Sequence, residues 1–126
     1  MSLRAIPLLV IAFIFYNLVV MSFGIEGLNN AIFSTTLLSG GTWTFTWGDM
    51  ILLITLFLLF IEIVKSTFTS TSTLIDHALS MVVFIAILVE FLVVPQAATS
   101  VFFLVLVASL IDVIAGYTIG IRVARR

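Results

Sequence analysis

Long uncharged apolar runs alternate with short polar breaks along the chain. The first run extends from Ala5 to Phe23, with no charge between Arg4 and Glu26. The second lies between Asp49 and Lys65, and the third runs from Leu74 to Val94, where Pro95 stops it. The fourth extends from about Thr99 to Val123 and ends among Arg122, Arg125 and Arg126. Each approaches the ~20 residues that a helix needs to cross a bilayer. The pattern predicts an all-α, polytopic membrane protein with four transmembrane helices over 5–23, 49–65, 74–94 and 99–123. Asp49 is the expected N-cap of the second helix, and Thr73-x-x-Asp76 the expected capping box of the third. Pro95-Gln96 forms a turn inside an otherwise uncharged stretch, so the last two helices are expected to be an antiparallel pair.

Arg4 followed by an apolar run is also how a signal peptide begins. No small-x-small cleavage site follows the run, so it is expected to be an uncleaved first helix.

The connections differ in character. Ser66 to Thr73 is hydroxyl-rich and reads as a polar turn. The loop over 24–48 is longest; its part from Glu26 to Leu38 is expected to form a short interfacial helix, followed by a turn at Ser39-Gly40-Gly41. Thr42 to Trp47 then alternates polar and aromatic residues, which puts Trp43, Phe45 and Trp47 on one face if extended. These three fit an aromatic belt at a membrane boundary. A stacking surface for a quinone, a pigment or a carbohydrate is the other reading.

Composition agrees with the pattern. Of 126 residues, 63% are apolar and 9% charged, and mean hydropathy is +1.39. A water-soluble domain of this length would carry about 31 charged residues. Four crossings use about 80 residues and leave roughly 46 for tails and loops, so 1–126 is expected to be a single integral-membrane domain. With four crossings, all five cations (Arg4, Lys65, Arg122, Arg125 and Arg126) fall on one side. The positive-inside rule makes that side, and both termini, cytoplasmic. A net charge of −1 without a basic stripe argues against nucleic acid as a partner. The chain has no cysteine, which excludes disulfides, thiolate metal sites and a cysteine nucleophile.

The polar residues inside the runs carry the chemistry. A charged Asp at mid-bilayer costs at least ~3 kcal/mol, so such groups face the bundle interior and have partners. Asp112 falls near the middle of the fourth helix, Asn17 roughly 5 Å and Glu90 roughly 9 Å toward the outside. Glu62, His77 and Tyr117 fall roughly 8–10 Å toward the inside, with Lys65 and Asp76 deeper. That inner layer is mixed in sign and able to pair internally. Asp76, Ser80 and Glu90 share an arc of the third helix, and Thr55, Glu62 and Lys65 an arc of the second. On the fourth helix Ala108, Asp112, Gly116 and Gly120 recur every four residues, with Ser109 on the same side. Gly116 and Gly120 form a GxxxG, which allows close helix approach in lipid.

Two explanations compete for this face. In the first, a neutral Asp112 bonds to Tyr16, Asn17 or a backbone carbonyl and acts as interhelical glue. In the second, Glu90, Asp112, Glu62, Asp76 and His77 form a graded path for protons or small cations. His77 reads as a hydrogen-bonded interfacial histidine, ahead of a pH switch or a metal ligand. No metal and no cofactor is expected. Enzyme signatures such as GxSxG, HExxH and the phosphate loop are absent. Asp76, His77 and Ser80 make a poor hydrolytic set, so no enzymatic activity is expected.

Phe60-Ile-Glu62-Ile-Val-Lys65, a short link, then a helix pair ending in a basic tail resembles small four-helix bacterial inner-membrane proteins. Among these it resembles the phosphate-starvation-inducible family, whose second helix also carries a Glu shortly before a Lys. The resemblance covers roughly 50–126. It departs at Glu90, where that family tends to carry an Arg in the third helix. The run from Asp76-His77 to Met81 is similar to short proteobacterial membrane proteins. The resemblance implies fold and compartment, not an activity.

The expected function is a non-enzymatic membrane protein acting through helix packing, as a homo-oligomer or an accessory subunit of a larger membrane complex. Its partners would be the lipid bilayer and other membrane-protein subunits. A proton or small-cation channel or transporter is the alternative.

Overall fold

The apolar runs are helical in the computed structural model, which describes residues 7–67 and 71–124. Helix α1 covers Leu9–Phe23, α2 Trp47–Lys65, α3 Thr71–Val93 and α4 Ser100–Ala124. Ala5 and Ile6, expected in the first helix, lie outside the described residues.

Capping chemistry sets the helix ends, and two differ from expectation. Thr46 rather than Asp49 is the N-cap of α2. Its hydroxyl accepts from the Asp49 amide at 3.2 Å, while the Asp49 carboxylate accepts from the Thr46 amide at 3.1 Å. This reciprocal box satisfies two otherwise orphaned donors. Helix α3 starts at Thr71, so Thr73 is already helical and does not cap it; the Asp76 side chain lies outside the described set. At α4, Thr99 caps by accepting from the Phe102 amide at 3.1 Å. Pro95, which has no amide to donate, opens a 3-10 turn over Pro95–Ala97 directly after α3.

The loop over 24–48 is mostly not a loop. A 3-10 turn covers Ile25–Asn29, and the expected interfacial helix goes no further. Ala31–Thr36 (β1) and Thr42–Thr46 (β2) instead pair antiparallel, with Phe33 opposite Phe45 and Thr35 opposite Trp43. The turn between them needs Gly40, whose φ of +89° is a left-handed conformation. β-branched and aromatic residues favour strands on both sides of it. Trp43 and Phe45 share a face, as expected, but Trp47 has left the strand and opens α2.

Contacts between helix ends show an up–down–up–down arrangement. The start of α1 meets the end of α2 through Leu8 and Glu62, and the start of α3 meets the end of α4 through His77 and Gly116. Helix α4 is central, packing on α2 and α3, while α1 lies mainly on α2. Near the hairpin the core is Tyr16, Val20, Ile51, Ile87, Phe102 and Val105. Toward the other end it is Leu9, Ala12, Leu58, Leu59 and Ala108.

Apolar residues cover the outside of the bundle as well as its core. Ile14 and Leu18 on α1, Phe57 and Phe60 on α2, Val82 and Ile85 on α3, and Phe103 and Ile114 on α4 are all exposed. The buried set includes Thr55, Glu62, Ser66, His77, Ser80, Ser109 and Asp112. Helices α2 and α4 are long and apolar enough to cross a membrane; α1 and the 77–93 part of α3 are shorter apolar helices.

Candidate functional site: a buried polar cluster between the second, third and fourth helices

Glu62, Ser66 and His77 gather at the end of the bundle away from the hairpin, with Ser80, Ser109 and Asp112 nearer mid-helix. Glu62, 1% exposed, sits on the inner face of α2. Its Oε1 accepts from the Leu8 backbone amide at 2.8 Å and from the Lys65 ammonium at 3.0 Å. The carboxylate therefore supplies an acceptor to an orphan donor at the start of α1 and is neutralised from its own helix. Ser66, one turn on, donates to the Glu62 carbonyl at 3.0 Å.

Across from it stand His77 and Ser80 on α3 and Gly116 on α4. A Cβ built on Gly116 would lie 3.2 Å from His77 Nε2 and 3.6 Å from Ser66 Oγ. The missing side chain is thus what lets the imidazole sit between α2 and α4. Tyr117 flanks it, with ring centroids 5.7 Å apart, and Glu62 is close enough to interact electrostatically with the imidazole. Two buried polar atoms here, His77 Nε2 and Ser80 Oγ, have no hydrogen-bond partner. They are consequently not bonded to each other, and a Ser80–His77 nucleophile–base contact does not form. Among the described residues no group of His, Asp and Glu could hold a metal ion.

Ala108, Ser109, Asp112 and Gly116 form one buried face of α4, as the four-residue spacing implies. That face points into the chain's own bundle: Ala108 packs with Leu58 and Leu59 of α2, and Gly116 against His77. Gly120 continues the register, with surroundings outside the described set. Asp112 is 5% exposed. The two α1 partners considered for it are engaged elsewhere. The Tyr16 hydroxyl donates to the Gln96 carbonyl at 2.7 Å and lies 2.7 Å from Thr99 Oγ1, and the Asn17 amide donates to the Phe13 carbonyl at 2.9 Å.

Glu90 is apart from this layer. It faces α1, where Asn17 is its hydrogen-bond partner, and its Oε2 is buried without one. Along α3 and α4 the buried Ile87, Val105 and Leu106 fill the space between Glu90 and the Ser80–Asp112 level. Among the described residues, Glu62, His77 and Asp112 are thus separated from Glu90 by apolar packing, and the Asp76 side chain lies outside the described set. Of the aromatic residues, Trp43 and Phe45 cluster with Phe33 on the hairpin, while Trp47 lies against Phe15 and Phe23 at the α1–α2 end.

Sequence reasoning missed the Leu8 amide, Ser66 and the Tyr16–Gln96–Thr99 cluster as parts of these networks. Only Thr99, a hydroxyl residue before an apolar run, carried a local signal. Neither family models nor curated proteins nor solved structures give a match to this chain.

Proposed function

We propose that the chain is a four-span integral membrane protein of the bacterial inner membrane, with both termini cytoplasmic. It acts without catalysis, through helix packing, as a self-associating protein or an accessory subunit. The observation that carries this reading is that large apolar side chains face outward on all four helices as well as filling the core, while Glu62, His77 and Asp112 are buried. In water so much exposed apolar surface would drive aggregation, whereas in lipid it costs nothing. Lys65 ends α2 and Arg122 lies in the last turn of α4, at the same end of the bundle, which suits a cytoplasmic face.

From Ala108 to Gly116 the small-residue face of α4 packs within the monomer, so the surface sought for a neighbouring chain lies beside it. A groove of about 270 Å³ between α2 and α4, lined by Leu52, Leu56, Leu59, Leu104, Val107 and Ile111, suits the ridge of another transmembrane helix. Because the chain has no cysteine, Leu56→Cys and Leu104→Cys can be crosslinked in native membranes without a background. An adduct of twice the chain mass supports self-association, and a defined heavier adduct supports an accessory role. Monomer alone at both positions defeats the groove as a contact. Ser39→Cys should label from outside and Ser70→Cys from the cytoplasm; labelling of Ser39→Cys only from the cytoplasm overturns the topology.

Proton or small-cation transfer is the second reading. The unpartnered His77 Nε2 and Ser80 Oγ favour it, and the apolar layer below Glu90 opposes it.

A further inference from the structure

The β1–β2 hairpin has two chemically different faces. Residues paired across an antiparallel ladder lie on the same side, and neighbours along a strand on opposite sides. Phe33, Thr35, Trp43 and Phe45 therefore share one face, and Ser34, Thr36, Thr42 and Thr44 the other. On the first, ring centroids lie 5.2 Å apart for Phe33 and Phe45 and 5.5 Å apart for Phe33 and Trp43. On the second, the Ser34 and Thr44 hydroxyls are hydrogen-bonded at 2.9 Å. No residue from Gly27 to Gly48 is charged; Phe33 and Trp43 are about half exposed, Phe45 is buried, and Leu38 at the tip is fully exposed. A lone two-stranded hairpin is marginal in water.

Its position supplies the partner. β2 runs without a break into α2, and the Trp47 amide donates to the Asn30 carbonyl at 3.1 Å, tying the hairpin base to the helix end. A five-residue strand is about 17 Å long, so no residue of the hairpin is far from the mouth of the bundle. Phe23 and Trp47 stack at that mouth, with centroids 6.5 Å apart, and continue the aromatic surface. We propose that the hairpin lies on the outer leaflet as an interfacial anchor, its exposed Phe33 and Trp43 rings in the acyl–headgroup boundary and its hydroxyl face toward headgroups and water. The occupant of the aromatic face is thus lipid, at the depth where Trp is enriched in membrane proteins. This inference rests on the membrane-spanning reading above.

The chain's two tryptophans make the test clean. Trp47→Phe leaves Trp43 as the reporter, and Trp43→Phe leaves Trp47. Each protein is reconstituted into phosphatidylcholine vesicles containing lipid brominated either near the headgroup or near the chain end, and probed with external iodide. Trp43 should lose at least about half its emission to bromine near the headgroup, less to bromine near the chain end, and little to iodide. Trp43 open to iodide and untouched by bromine overturns the proposal, placing the hairpin in water. Trp43 shielded from both overturns it in favour of a protein partner, a second copy included. If Trp47 is quenched by bromolipid and Trp43 is not, the hairpin proposal alone fails. If neither is quenched by either lipid, the spanning reading fails with it.

Discussion

The Leu8 amide reaches Glu62 Oε1 at 2.8 Å, so the first helix is fastened to the second by a bond from backbone to a buried carboxylate. Helix starts leave amides without intrahelical partners, and here a residue 54 positions away provides the acceptor. Glu62→Ala should strand that donor and cost about 1–3 kcal/mol. Glu62→Gln keeps a carbonyl acceptor and should cost less than about 1 kcal/mol, since only the partly exposed Lys65 pair is lost. Unfolding of the detergent-solubilised protein measures both; equal losses would mean that the ion pair, not the amide bond, carries the role.

Gly116 makes a second, steric claim. Its absent Cβ would stand 3.1 Å from His77 Cδ2. Gly116→Ile should overpack the α3–α4 contact and destabilise the monomer by about 1–3 kcal/mol. Because the face is internal, this variant should lower the yield and melting temperature of the monomer. A variant as stable as the parent but deficient in assembly would show that the face serves a neighbour instead.

Tyr16 ties α1 to the α3–α4 turn. Its single proton goes to the Gln96 carbonyl, so the Thr99 hydroxyl donates to the Tyr16 oxygen while accepting the Phe102 amide. Tyr16→Phe should cost about 0.6–1.7 kcal/mol, the range of hydrogen bonds within membranes. Thr99→Val should add less than its separate effect, because the two residues share one network. Strict additivity in a double-mutant cycle would sink the idea of a coupled network.

These networks mark the boundary of what the sequence discloses. Helix positions follow from the apolar runs, and the buried face of α4 follows from the spacing of Ala108, Asp112 and Gly116, because both are local and periodic. The ion pair of Glu62 with Lys65 follows too, three residues apart on one helix. The capping box at Thr46 was equally local, and Asp49 belongs to it as the N3 partner rather than as the cap. β1 is different: its strand exists only through pairing with β2 across the Gly40 turn, so Ala31–Thr36 alone reads as amphipathic helix as easily. Which helix each polar residue meets depends on rotations that no single run encodes. Tyr16 finding Gln96, and His77 finding Gly116, are products of that packing.

The rival transport reading can be decided at Asp112 and Glu90. If the inner polar layer and Glu90 belonged to one hydrated path, both acids would exchange protons during turnover. Asp112→Asn removes the exchangeable charge at mid-helix while keeping size and a hydrogen-bonding group. In proteoliposomes under a pH or cation gradient, a true path should then lose at least about tenfold in flux, since an intramembrane acid is the expected carrier. The packing argues for the opposite result. Ile87 and Val105 are fully buried between Glu90 and the Asp112 level, and close-packed apolar side chains leave no room for a water file. The parent protein should therefore show no flux above empty vesicles, and neither Asp112→Asn nor Glu90→Gln should change that. Flux in the parent that falls in Asp112→Asn would overturn the packing role of Asp112. Flux that survives both substitutions together would move the path away from these acids altogether.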